Sequence, residues 1–303
     1  SSRTSDEVFT KMKLGKAGEK LFENPKFLAW VKYVDDYNMK NPDKATSMIP
    51  TLTAHYSDDV LAKMLAAATK VPTTKRLAES LETQLVKHWQ TLKYTPDDAL
   101  RALKLDKTLD SVLTDPTFLT LNKYVVDFNT WNPSKSTTMT ELLSRSYGDA
   151  PVAKMLQQAT KVKGTEGMAS RLQSQQLTTW KEMGLTSDDV FRGTLKLDKQ
   201  TGNLFESPNF LVWTKYVDDF SGEKTSSFDF LWKAFGEEKL AKMLIAPKDA
   251  KSNSVVGELQ NSLIRKWLAM SPPKKPAEVS TILGTSSQGK TLSSLYRWNY
   301  KNQ

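Results

Sequence analysis

Apolar side chains recur along this chain at the spacing of helix faces. Phe27, Trp30, Val31, Val34 and Tyr37 fall on one side of a 3.6-residue repeat, as do Leu77, Leu81, Leu85, Trp89 and Leu92. No segment of comparable length alternates with period two, so the pattern predicts helices and no sheet. Start signals agree. TSDE at 4–7, TPDD at 95–98 and TSDD at 186–189 each place a hydroxyl before carboxylates, which suit the unpaired N–H groups of a first helical turn. Asn24-Pro25, Asp115-Pro116 and Ser207-Pro208 supply a second start with Pro at the first helical position, and Ser57 a third. The predicted helices span about 6–14, 25–39, 43–55, 58–69 and 73–92, then about 97–105, 116–130, 134–147, 150–160 and 164–183.

The second set repeats the first. Residues 58–71 read DDVLAKMLAAATKV and residues 149–162 read DAPVAKMLQQATKV, 91 residues on. The same shift carries Pro25 to Pro116, Tyr33 to Tyr124, Tyr56 to Tyr147 and Trp89 to Trp180 without a gap. A third, shorter copy aligns Leu105 with Leu197, Pro116 with Pro208, Tyr124 with Tyr216 and Trp180 with Trp267. Repetition at this period predicts stacked helical modules of five helices each, near 1–95, 96–186 and 187–270, with 271–303 as a cap or a truncated fourth module. In that tail AEVSTIL resembles the start of another module, and Leu295, Tyr296 or Trp298 is placed to cover the end of the third. The long fifth helix, about 30 Å at 1.5 Å per residue, serves as the rod between modules. Met64, Met155 and Met243 read as fillers of a core rather than metal ligands.

The successive segments DEVFTKMKL, NPKFLAWVKYVDDYN and AHYSDDVLAKMLAAA resemble the L, W and Y motifs of oomycete RXLR effectors of the LWY class, secreted by Phytophthora and its relatives into plant cells. The resemblance covers about residues 1–270 in three ordered copies. It assigns the L position to Leu14, Leu105 and Leu197, the W position to Trp30, Leu121 and Trp213, and the Y position to Tyr56, Tyr147 and Phe235. Leu121 loses aromatic area and Phe235 loses the hydroxyl, yet both keep an apolar core role. The family's secretion signal and RXLR segment are not in this chain, whose first residues read as a mature or trimmed beginning, so secretion and host entry are implied by the resemblance. It further implies an all-α, elongated solenoid of LWY modules and a monomeric, non-enzymatic adaptor. Such an adaptor binds a host plant protein in the cytoplasm or nucleus and suppresses immunity. A subset of the class looks like regulatory-subunit mimics that dock on the scaffold subunit of host type-2A protein phosphatase, which makes that subunit a candidate partner.

Composition narrows the alternatives. Of 303 residues, 39% are hydrophobic, enough to bury one large core or several small ones. No apolar run approaches the roughly 18–20 residues of a membrane span, and no cysteine is present to form a disulfide or thiolate site. The net charge of +9 suggests nucleic-acid binding at first sight, but it is dispersed as +4, +1, 0 and +4 over the four segments above. Phosphate recognition needs cations gathered on one face.

Chemistry is sparse. The two histidines, His55 and His88, align with Ser146 and Thr179 and offer no metal or nucleophile constellation. Carboxylate pairs such as Asp58-Asp59 and Asp188-Asp189 sit at helix starts, where capping accounts for them. No phosphate-binding, nucleophile-elbow or metalloprotease motif occurs, so no catalytic, cofactor or metal site is expected. A partner-binding scaffold, a basic nucleic-acid-binding helical repeat and an enzyme without recognisable motif stay in view, the first accounting for most features together. Trp131 and Trp232 are the candidate partner contacts. They stand where other copies have Lys40, or Thr53 and Ser144, so packing does not demand either ring.

Overall fold

The computed structural model describes residues 4–246 and 254–302, whose regular elements are all helices or helical turns, with no strand among them. The chain forms two compact units, Ser1–Tyr147 and Gly148–Gln303. The first holds α1 (Ser5–Lys11), α2 (Pro25–Lys40), α3 (Ile49–His55), α4 (Asp58–Ala68), α5 (Lys75–Thr91), α6 (Pro96–Ala102), α7 (Phe118–Trp131) and α8 (Met139–Tyr147). The second holds α9 (Asp149–Ala159), α10 (Glu166–Glu182), α11 (Pro208–Lys215), α12 (Ser227–Phe235), α13 (Glu237–Ile245), α14 (Ser254–Leu268), α15 (Pro276–Leu283) and α16 (Ser287–Lys301). The division falls inside the second sequence copy.

Where helices differ from the sequence pattern, particular side chains explain it. The spans read as 43–55 and 134–147 are each a short 3-10 turn, an extended stretch and then α3 or α8. Asn38 clamps both backbone groups of Thr46, donating to its carbonyl and accepting from its N–H at 2.9 Å each. Asn129 holds Thr137 in the same way at 2.8 and 2.9 Å. The clamp satisfies these groups outside a helix. At 115–117 the Asp115 carboxylate accepts from the Thr117 N–H and hydroxyl, which delays α7 to Phe118.

Two residues past the first helix of each copy stands a lysine with left-handed backbone: Lys13, Lys104 and Lys196 have φ of 59°, 56° and 53°. Such a residue costs about 1–2 kcal/mol, and it turns the chain so that Leu14, Leu105 or Leu197 points inward. The repeat lengthens from 91 to 92 residues between Phe191 and Leu197, and the extra residue is taken up by a π turn over Asp189–Thr194. Leu92, placed by periodicity on the inner face of the fifth helix, is 50% exposed because it caps that helix rather than continuing it.

Candidate functional site

The L, W and Y positions fall together within each copy. Leu14, Trp30, Tyr56, Leu105, Leu121, Leu197 and Trp213 are buried, whereas Tyr147 and Phe235 are half-buried. The burial expected at those two is therefore incomplete, because each ends its helix beside a glycine turn, Gly148 or Gly236. The Trp30 indole N–H donates to the Ser5 carbonyl at 2.9 Å, and Trp213 does the same to Ser187 at 2.9 Å. Phe9 meets Trp30 edge-on at 4.9 Å and Phe191 meets Trp213 at 5.0 Å. The second copy replaces both rings at once, with Leu100 and Leu121, each fully buried. Both members of the pair are thus smaller in this copy, and apolar character rather than ring size is what the site keeps.

The structure adds a link that spacing does not disclose. The Tyr56 hydroxyl donates to the Leu14 carbonyl at 2.8 Å, and Tyr147 donates to Leu105. The Y residue therefore ties down the L residue's backbone. Phe235 cannot make this bond to Leu197. Burial raises the Tyr56 and Tyr147 hydroxyls above the ordinary tyrosine range, so both stay protonated donors well beyond neutral pH.

A second recurring assembly joins the end of one copy to the start of the next. The Trp89 indole donates to Asp58 at 2.6 Å, Trp180 to Asp149 at 3.4 Å and Trp267 to Glu237 at 2.6 Å. Each ring meets edge-on a tyrosine further along the chain, in the next copy or the tail: Trp89 with Tyr124 at 5.4 Å, Trp180 with Tyr216 at 5.9 Å, Trp267 with Tyr296 at 5.7 Å. That tyrosine's hydroxyl donates in turn to the backbone carbonyl of Tyr94, Leu185 or Lys274. Burial, with the nearby Asp98 and Tyr94, pushes the Tyr124 hydroxyl up to about 12. The three joints satisfy every polar atom of their buried rings.

The tail uses one half of this assembly. On α16, Tyr296 is fully buried against Trp267, while Leu295 and Trp298 are 42% and 62% exposed. Of the three residues proposed to cover the third copy, Tyr296 alone does so. Lys290, Ser293 and Arg297 occupy the places that Phe118, Leu121 and Val125 hold on α7 when the two tyrosines are matched. The joint-facing side is kept and the inward core side is polar.

Trp131 is 39% exposed and meets Tyr124 edge-on at 6.4 Å. Trp232 is half-buried, 5.9 Å from Phe228, with the Lys266 ammonium 5.7 Å above its ring. The Asp59 carboxylate, 8% exposed, accepts from the Ser57 hydroxyl at 2.6 Å and pairs with Lys104 at 3.0 Å. Burial works to raise its pKa, but Ser57 and Lys104 outweigh it and hold Asp59 below the ordinary aspartate range. Asp59 therefore adds stability above that range and loses it as pH falls through its own lower pKa. Lys104→Met should cost about 1 kcal/mol at neutral pH, since Lys104 is well exposed. It should also start acid unfolding at higher pH, read by denaturant titration across that range. Among the described residues no cluster of acids and histidines could hold a metal, and no helix is long and apolar enough to cross a membrane.

These cores and joints define a helical repeat whose recurring residues serve packing. A family model described as Effector PexRD54, WY-domain, matches residues 1–34. The RxLR effector protein PSR2 of Phytophthora sojae is 33% identical over 297 residues, 96% of this chain and 44% of the relative. PSR2 of Phytophthora infestans (strain T30-4) is 31% identical over 300 residues, 97% of this chain and 39% of the relative. The chain thus spans less than half the length of these curated relatives. The crystal structure of PcRxLR12 superposes with a TM-score of 0.76 at 30% identity, covering 99% of this chain and 75% of that one. The chain belongs to the RxLR effector family, a family of secreted virulence effectors, in its WY/LWY helical class.

Proposed function

We propose that this chain acts inside the plant cell, in cytoplasm or nucleus, as a non-enzymatic scaffold that binds a host protein and so suppresses immunity. Its repeated modules are the copies at 1–95, 96–186 and 187–270. The observation that carries the reading is apolar surface left over once the cores and joints are built. Leu28 and Leu119 hold the same place in two copies and are 50% and 63% exposed, and Val126 and Trp131 on α7 add 56% and 39%. Leu119 and Val126 stand seven residues apart on α7 and so share one face of that helix, and apolar surface gathered on one face is a common basis of protein docking. The scaffold subunit of host type-2A protein phosphatase is the first partner to test, the protein acting as a regulatory-subunit mimic. Trp131 is the favoured contact. Trp232, packed between Phe228 and Lys266, is the weaker of the pair.

Purified phosphatase scaffold subunit should bind the wild-type chain at micromolar concentration. Trp131→Lys should weaken binding by about 2 kcal/mol or more if the ring is a hot spot, with the melting temperature unchanged. No binding by wild type removes this partner and leaves affinity capture from plant extract to find another. Lowered melting with a matching loss of binding returns Trp131 to the fold.

A further inference from the structure

In the second copy Arg145 bridges the start of α6 to the loop before α8. Its guanidinium holds both oxygens of Asp97, at 2.9 and 3.2 Å, and donates to the Thr137 hydroxyl at 3.1 Å. The first copy keeps the acceptors and lacks the arginine. Asp6 matches Asp97, Thr46 matches Thr137 and Ala54 matches Arg145 across the 91-residue shift. Asp6 and Thr46, the counterparts of the two acceptors of Arg145, both line a cavity of about 440 Å³ whose other walls include Tyr33, Tyr37, Pro50 and Thr51. That volume lies within the range of about 300–1,000 Å³ usual for ligand pockets.

We infer that this cavity is a receptor for an arginine side chain presented by a partner protein, entering where Arg145 enters in the second copy. The carboxylate supplies charge complementarity, Thr46 a hydroxyl acceptor, and the two tyrosines the aromatic walls that suit a planar guanidinium better than a lysine ammonium. His55 Nε2 lies 3.4 Å from one Asp6 oxygen and leaves the carboxylate 59% exposed. The third copy closes the corresponding region differently, with Glu223 accepting from the Ser187 N–H at 3.1 Å and from its hydroxyl. The first copy follows the second, because its loop has the same length and the same asparagine clamp, Asn38 on Thr46. Assigning the arginine to a partner rests on the scaffold reading above. The cavity's preference for guanidinium does not.

The test uses the full chain and N-acetyl-arginine amide, followed by amide NMR at Asp6, Tyr33, Thr46 and Thr51, with neutral N-acetyl-citrulline amide as control. Saturable shifts with the arginine probe alone are expected. They should weaken about tenfold in Asp6→Asn, through loss of a charge-assisted pair. They should vanish in Ala54→Arg, where the chain fills its own cavity as the second copy does, while Ala54→Gln keeps them. Equal shifts with citrulline, full retention in Asp6→Asn, or no shift at these amides overturns the inference. Failure of the scaffold reading looks different: the probe binds and no host protein does.

Discussion

Trp89→Ala should lower the unfolding free energy by about 3–5 kcal/mol, the usual cost of emptying a tryptophan-sized core site. Trp89 is fully buried, so almost none of the space is recovered by solvent. The loss has three parts that act together. The ring's apolar area goes, Tyr124 loses its edge-on neighbour, and the Asp58 carboxylate loses the indole donor at 2.6 Å. Tyr124→Phe separates one thread, since it removes the hydroxyl bond to Tyr94 and leaves the ring; about 1 kcal/mol is expected. Denaturant unfolding of both variants checks the ordering. A Trp89→Ala chain as stable as the parent would show that the joint is dispensable to the fold.

Trp213→Ala is expected to cost a similar 3–5 kcal/mol. Its ring is fully buried among Phe191, Phe210 and Phe230, with centroids 5.0, 5.6 and 5.0 Å away. Removing it also leaves the Ser187 carbonyl without the indole donor. Host-protein binding should fall in proportion to unfolding and recover under conditions that refold the variant. A stable variant that had lost its partner would instead make Trp213 a contact residue.

Much of this fold is legible in the sequence because the same physical demand is written three times. The tryptophans at 89, 180 and 267 and the tyrosines at 124 and 216 align along the chain, whereas Tyr296 reads only as one of three candidates in the tail, and the pairing of ring with ring cannot be read at all. Asp58, Asp149 and Glu237 each read as an ordinary acid in a first helical turn, and only the structure shows that each accepts an indole N–H. Recurrence is also an imperfect sign of burial: Leu28 and Leu119 recur and stay exposed. The change of register from 91 to 92 residues is visible as arithmetic, yet a loop would absorb it as readily as the π turn at Asp189–Thr194. Ala54 against Arg145 reads as surface drift until the cavity beside Ala54's helix is seen.

The joint has a consequence for how such chains change length. Each is built from the end of one copy and the start of the next, with an indole, an acid and a phenol playing the same parts every time. A crossover between misaligned gene copies that respects this phase yields a chain with one copy more or fewer, in which every junction still matches. New copies then arrive already fitted to their neighbours, and selection is free to act on the faces the junctions leave outside.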